Sequence, residues 1–329
     1  MSTLLAIPTG DATRGRLMNV SGEPLDDLGE IAGPRVAVQA TAAPLPSAKP
    51  VLSFYETGIK VIDLFAPLAR GGIITIHSPG TGMGKFVLLC ELAYRHAKLR
   101  AGRVVLVDSG TDATAAALLG EVREMGVTPY LSMLSSAPTD PLELREQAAL
   151  AGMVLAEGFH AQGYEVLLFI ERPLITLTNA TAIAARRAAA RGGITLLSDS
   201  QEAEWEPLPP ALGPGAAHLA FSRALAQQHI WPALDPLASQ SSLLAEGMVS
   251  EAQQATAQAA RVLLGQLGAE RLGDDAERLA RAQRLQRLQA QPFFVAEPFT
   301  AKPGVFMPLA DTLRSYQEGL DERLTTPAQ

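Results

Sequence analysis

The sequence predicts an α/β protein: a parallel sheet with helices on both faces, followed by an all-helical C-terminal region. Three observations carry that expectation. Between Glu56 and Ser198 short apolar runs alternate with longer helical stretches, the pattern of a sheet built from strand–helix units. Those runs are apolar throughout, as strands covered on both faces require. Beyond Ser239 strand-like runs cease, and apolar residues recur at helical spacing among good helix formers.

The elements follow in order. Residues 1–50 read as an incomplete element, with strand-like pieces of "RLMNVSGEPLDDLGEI" broken by Gly-Glu-Pro and Asp-Asp, then a proline-punctuated linker, "ATAAPLPSAKPVL". Strands are expected at Gly72 to His77, Arg103 to Asp108, Tyr130 to Leu134, Glu165 to Ile170 and Gly193 to Ser198. Helices are expected to start near Gly84, Asp112, Asp140 and Ala180. "EAQQATAQAARVLLGQL" and "DDAERLARAQRLQRLQ" supply the C-terminal helices. The domain boundaries expected are 1–50, 51–240 and 241–329.

Composition narrows the function classes. The chain has 329 residues, 47% hydrophobic and 19% charged, which describes a well-cored protein. A net charge of -7, with no dense Lys/Arg block, excludes a nucleic-acid surface. Cys90 is the only cysteine, so no internal disulfide forms and a reducing compartment is expected. There is no signal-peptide pattern in "MSTLLAIPTGDATRGR" and no run of 18 apolar residues, so a cytoplasmic protein without membrane insertion is expected. His77, His96, His160, His218 and His229 show no metal-ligand spacing and read as surface or core residues. Cys90, beside Leu88 and Leu89, reads as a small buried hydrophobe.

The chemistry centres on "SPGTGMGKFVLLCEL", Ser78 to Leu92. A phosphate-cradling loop reads G-x-x-x-x-G-K-[ST] between a strand and a helix; its N–H groups and lysine hold phosphates, and its hydroxyl binds Mg²⁺. Gly80, Gly82, Gly84 and Lys85 are in place, with Thr81 and Met83 between them. Pro79 stands at the first glycine and Phe86 at the hydroxyl residue. Phe86 keeps its backbone N–H, so phosphate binding survives while side-chain coordination of Mg²⁺ does not.

The flanks add a resemblance. "ETGIKVIDLFAPLARGG", "VLLFI", "SRALAQQHIWPALDPL" and "RLQRLQAQPFFVAEPFT" are similar, in collinear order from about Arg14 to Leu320, to the β subunit of F-type ATP synthases. "GRLMNVSGEPLDDLGEI" resembles the stretch that joins that family's N-terminal barrel to its nucleotide domain. The resemblance implies a RecA-like P-loop domain, a helical C-terminal domain, and loss of most of the barrel. It also implies ATP or ADP as ligand at the loop, Pro79 to Phe86. Glu171 stands where the family has an aspartate holding Mg²⁺ through water, so Mg²⁺ binding is expected to be weakened. Gly110 or Thr111 falls at the catalytic glutamate, and the nearby phosphate-binding arginine is absent. Asp108 or Asp112 would have to substitute, and their offset argues against it. Trp231 matches the aromatic that stacks on adenine, and Phe293 and Phe299 match those that complete the pocket; the competing reading packs all three into the domain junction. The shaft-facing loop has no counterpart between Ile170 and Gly193, and the acidic lever segment is reduced to "ERLGDDA", Glu270 to Ala276, which reads as a solvated helix cap.

Phosphoryl transfer rests on lysine, metal and a water-orienting group. With the first kept, the second weakened and the third lost, the expected protein is a β-like pseudo-ATPase. Its expected partners are α- or β-like ATP synthase subunits or further copies of itself, with a place peripheral to a membrane complex. The alternatives are an active ATPase or ATP synthase subunit and a nucleotide-free structural protein.

Overall fold

The computed structural model describes residues 5–38, 53–200, 208–212, 216–268 and 276–321. In chain order the strands are β1 (Ala6–Pro8), β2 (Leu17–Asn19), β3 (Arg35–Ala37), β4 (Ser53–Tyr55), β5 (Leu68–Arg70), β6 (Ile73–His77), β7 (Arg103–Asp108), β8 (Leu131–Ser135), β9 (Val166–Glu171), β10 (Ile194–Ser200), β11 (Ala217–Ala220) and β12 (Gln240–Ser241). The helices are α1 (Lys60–Phe65), α2 (Lys85–Tyr94), α3 (Asp112–Glu124), α4 (Leu142–Ala161), α5 (Leu177–Ala189), α6 (Arg223–Gln227), α7 (Ser242–Ala245), α8 (Glu251–Gly268), α9 (Ala276–Leu288), α10 (Glu297–Thr300) and α11 (Leu309–Leu320).

Eight strands form one sheet in the order β12-β11-β6-β10-β9-β7-β8-β2. Every neighbouring pair is parallel except β11 with β12. Parallel pairing needs crossovers, and α2, α3, α4 and α5 supply them. The side chains of one strand divide between two cores. Val104 and Leu106 of β7 join the cluster that holds Leu88, Leu92, Leu119 and Leu264. Val105 and Val107 join the cluster that holds Met153, Phe159 and Ile183. Both faces are therefore covered, which explains why the strand sequences read as unbroken apolar runs. The helix α4 approaches closely because Gly152 carries no side chain; a Cβ there would stand 2.4 Å from Val107 Cγ2.

The N-terminal segment packs onto this sheet. Leu17–Asn19 extends it beside β8 in parallel register, and Ile7, Met18 and Val20 enter the second core. The C-terminal helices dock through buried polar contacts as well as apolar ones. Asp63 is fully buried and its carboxylate accepts from Thr57 N (2.8 Å), Thr57 Oγ1 (2.7 Å) and Gly58 N (2.7 Å). Its backbone oxygen accepts from Gln253 Nε2 of α8 at 2.8 Å. Gln291 accepts from Lys60 N (2.9 Å) and donates to Gly58 O and Val305 O, both at 2.7 Å. Sequence-distant backbone groups are satisfied here by side chains, as burial demands. The acidic stretch at Glu270, Asp274 and Asp275 lies outside the described residues.

Candidate functional site

The loop after β6 has the backbone its glycines permit. Gly80, Gly82 and Gly84 take φ of 92°, 80° and 79°, a region costly for other residues. Gly84 caps α2, and Lys85 is its first helical residue. The N–H groups of a first helical turn have no partner within the helix and point outward at its positive end. Thr81 and Gly82 are exposed, Met83 turns into the core at 2% exposure, and Phe86 packs partly buried against the same core. Ser78 Oγ donates to Gly80 O at 3.2 Å, and Arg223 Nη2 of α6 donates to Pro79 O at 3.1 Å.

The three aromatics occupy different surroundings. Trp231 lies against the loop: a Cβ on Gly84 would come within 3.0 Å of its ring, and the residue is 38% exposed. Its carbonyl accepts from Gln291 N at 2.8 Å, which ties it to the segment carrying Phe293. Phe293 is buried among core residues, while Phe299, on α10, is 62% exposed.

Below the loop the strand ends carry a row of acids. In register, Asp199 of β10 pairs with Glu171 of β9. Val107 of β7 pairs with Ile170, which sets Asp108 level with Glu171. Adjacent strands lie about 4.8 Å apart, so three carboxylates stand side by side at the C-terminal edge of a parallel sheet. Burial, with Asp199 and then Asp108 beside it, pushes the Glu171 carboxyl up to about 7. Burial first, and Asp199 among the neighbouring charges, also raises Asp108. Glu171 Oε2 accepts from Ser109 N at 2.9 Å and from Ser109 Oγ.

Lys85 reaches into this row. Its ammonium is paired with Asp199 Oδ2, the two side chains being 10% and 9% exposed. The loop lysine is thus engaged by a carboxylate of its own chain, 114 residues away in sequence. Asp199 is the residue of this cluster that the sequence pattern does not single out. The expected strand stopped at Ser198, although the chain's "RVVLVD", "VLLFIE" and "ITLLSD" each run into an acid. That shared ending was the available signal.

The segment expected at the catalytic glutamate builds a helix start. Gly110 N donates to Asp108 Oδ2 at 2.8 Å, and Thr111 caps α3 by accepting from Thr114 N at 3.3 Å. Asp112 opens α3, and its side chain lies outside the described residues. Of the groups a metal would call on, Phe86 offers no hydroxyl, Glu171 Oε2 accepts from Ser109, and Asp199 Oδ2 pairs with Lys85. Among the described residues no group of three or more His, Cys, Asp or Glu is arranged to hold a metal ion. For a polyphosphate the loop backbone, helix terminus and lysine do fit, provided Lys85 exchanges its partner.

Residues 58–192 match the family model described as ATP synthase alpha/beta family, nucleotide-binding domain. This stretch is similar to that domain. It covers about two-fifths of the chain and holds the loop, Asp108 and Glu171, and it stops short of Asp199, Trp231 and Phe293. Its fold agrees with the match: a mostly parallel sheet whose glycine loop leads from β6 into α2. Among the described residues no helix is long and apolar enough to cross a membrane.

Two further titratable residues, His96 and Cys90, are buried in the fold. His96 Nε2 lies 3.0 Å from Glu165 O, and its Nδ1 lies 2.9 Å from the Tyr55 hydroxyl. The carbonyl can only accept, so Nε2 carries the proton and Nδ1 accepts from Tyr55. Burial pulls this imidazole down to about 4. Cys90 is buried and free, and burial raises its thiol to about 12.

Proposed function

We propose that the chain is a nucleotide-binding protein of the ATP synthase α/β type, which holds ATP or ADP without hydrolysing it and works through contacts with other subunits. One observation carries the reading. Within the matched stretch, three glycines at positive φ deliver Lys85 and the N-terminus of a 10-residue helix to the end of β6. That is a seat for a phosphate chain. Trp231, against Gly84, supports a stacking surface for the base. The absence of turnover follows from what the residues cannot do. The Phe86 side chain cannot ligate a cation, Gly110 and Thr111 carry no carboxylate where the resemblance places a catalytic glutamate, and Glu171 Oε2 accepts from Ser109. Losing such positioning and electrostatic groups costs orders of magnitude in rate. Likeness to a subunit family makes related α- or β-like chains, or further copies of this one, the natural partners.

A second reading has one observation in its favour. A carboxyl held near 7, as Glu171 is, suits a base working at neutral pH, and an active ATPase would use it. Two readouts separate these readings in a Trp205→Phe background, where Trp231 is the remaining tryptophan. ATP should change Trp231 fluorescence while a coupled assay detects no ADP above the protein-free rate. Mg²⁺-dependent ADP release abolished by Glu171→Gln would sink the non-hydrolytic proposal and support the second reading. No fluorescence change, with no heat of binding, would leave a nucleotide-free structural protein.

A further inference from the structure

We infer that Asp199 is an internal competitor for the phosphate seat: its carboxylate holds the Lys85 ammonium, and a phosphate ligand has to displace it to bind. The inference rests on the nucleotide reading above. Lys85 and Asp199 form a salt bridge with both side chains nearly excluded from solvent. A carboxylate and a phosphate oxygen offer the same lysine the same kind of charge-assisted acceptor, so the two occupy one position on Lys85 by turns.

The neighbours make the exchange costly. Asp199 belongs to the row with Asp108 and Glu171, and both neighbours are raised by burial and by its charge. Lys85 brings a positive charge to the row, pairing with Asp199 and acting on Asp108 as well. Drawing Lys85 toward a ligand leaves three buried carboxyls facing one another across adjacent strands, where like charges oppose. The free loop is therefore biased against anions, and the bias is set by one residue outside the loop. A partner or ligand that supplies positive charge to the row would release Lys85.

Calorimetry of ATP and of inorganic tripolyphosphate, both in excess EDTA, tests this on wild-type protein, Asp199→Asn and Asp199→Ala. The amide keeps the shape and removes the charge; alanine serves if the asparagine variant fails to fold, and far-UV circular dichroism reports folding. The expected result is about tenfold or greater tightening for both ligands in either folded variant, as loss of a buried charge partner implies. Binding by the variants with none by wild type supports the inference in its strongest form. Equal affinities, or weaker binding by the variants, overturn the competitor and leave nucleotide binding by the loop standing. No binding of either ligand by any of the three proteins removes the nucleotide reading, and the competitor with it.

Discussion

Replacing Lys85 by alanine should destabilise the ligand-free protein, and more so at high pH. A lysine waiting in solvent for a phosphate contributes little to folding, so its loss would cost under about 1 kcal/mol. Here the ammonium is buried against Asp199 and the acid row. Removing one partner of a buried pair costs about 3–5 kcal/mol. The row has one escape, which is to take up a proton. Holding a proton at pH 8 on a carboxyl that titrates near 3.9 when unfolded costs about 1.4 kcal/mol per pH unit, or about 5–6 kcal/mol. The escape therefore does not undercut the direct penalty at pH 8. At pH 5 it costs only about 1.5 kcal/mol and does. A proton bound in the folded state and absent from the unfolded state makes stability fall as pH rises, which fixes the sign. Urea unfolding of wild type and Lys85→Ala, followed by far-UV circular dichroism at pH 5, 6.5 and 8, measures the difference. A deficit of about 3–5 kcal/mol at pH 8 shrinking to about 1–2 kcal/mol at pH 5 is expected. A deficit below about 1 kcal/mol at pH 8, or one that grows as pH falls, would refute the reasoning.

Other outcomes follow from the same contacts. Asp63→Asn turns an amide NH₂ toward one of the donors now served by the carboxylate, so it should lower stability by about 2–4 kcal/mol in urea titrations at pH 8; an unchanged midpoint would contradict that. Gly58→Ala puts a Cβ 2.3 Å from the Phe306 ring at φ 69°, so it should depress the Tm and expose the 290–308 segment to limited proteolysis. The Glu171 carboxyl, raised to about 7 from an ordinary value near 4.5, makes the folded protein lose stability as pH climbs from about 4.5 through 7; Glu171→Gln should flatten that slope in a melting series. Cys90, buried with its thiol at about 12, should resist iodoacetamide in native buffer and react in 6 M urea, roughly the denaturant range that unfolds such domains.

The sheet was legible because its strands are apolar throughout. Runs such as "RVVLVD" and the helix starts expected near Asp112 and Gly84 correspond to β7, α3 and α2 within a residue or two. The short β11, four residues long, carries too little pattern to read, and β2 joins the sheet through pairing with β8, more than a hundred residues later. Local sequence cannot announce either. The loop was legible because its glycines answer a backbone requirement inside eight residues. Asp199 was not, because its role comes from the order β6-β10-β9-β7, which brings three strand ends and the loop lysine together. The resemblance singles out Trp231 as an aromatic but does not place it beside Gly84, and the exposure of Phe299 depends on how the segment around α10 packs.

The central claim is that this loop holds a nucleotide through its backbone and Lys85 without needing a metal. Titration calorimetry of ATP and ADP into the purified chain, in excess EDTA and again with Mg²⁺, tests it most directly. The account predicts saturable heat in EDTA, little gain on adding Mg²⁺, and loss of the heat in folded Lys85→Ala protein. Heat that appears only with Mg²⁺, or no heat in either buffer, would contradict it.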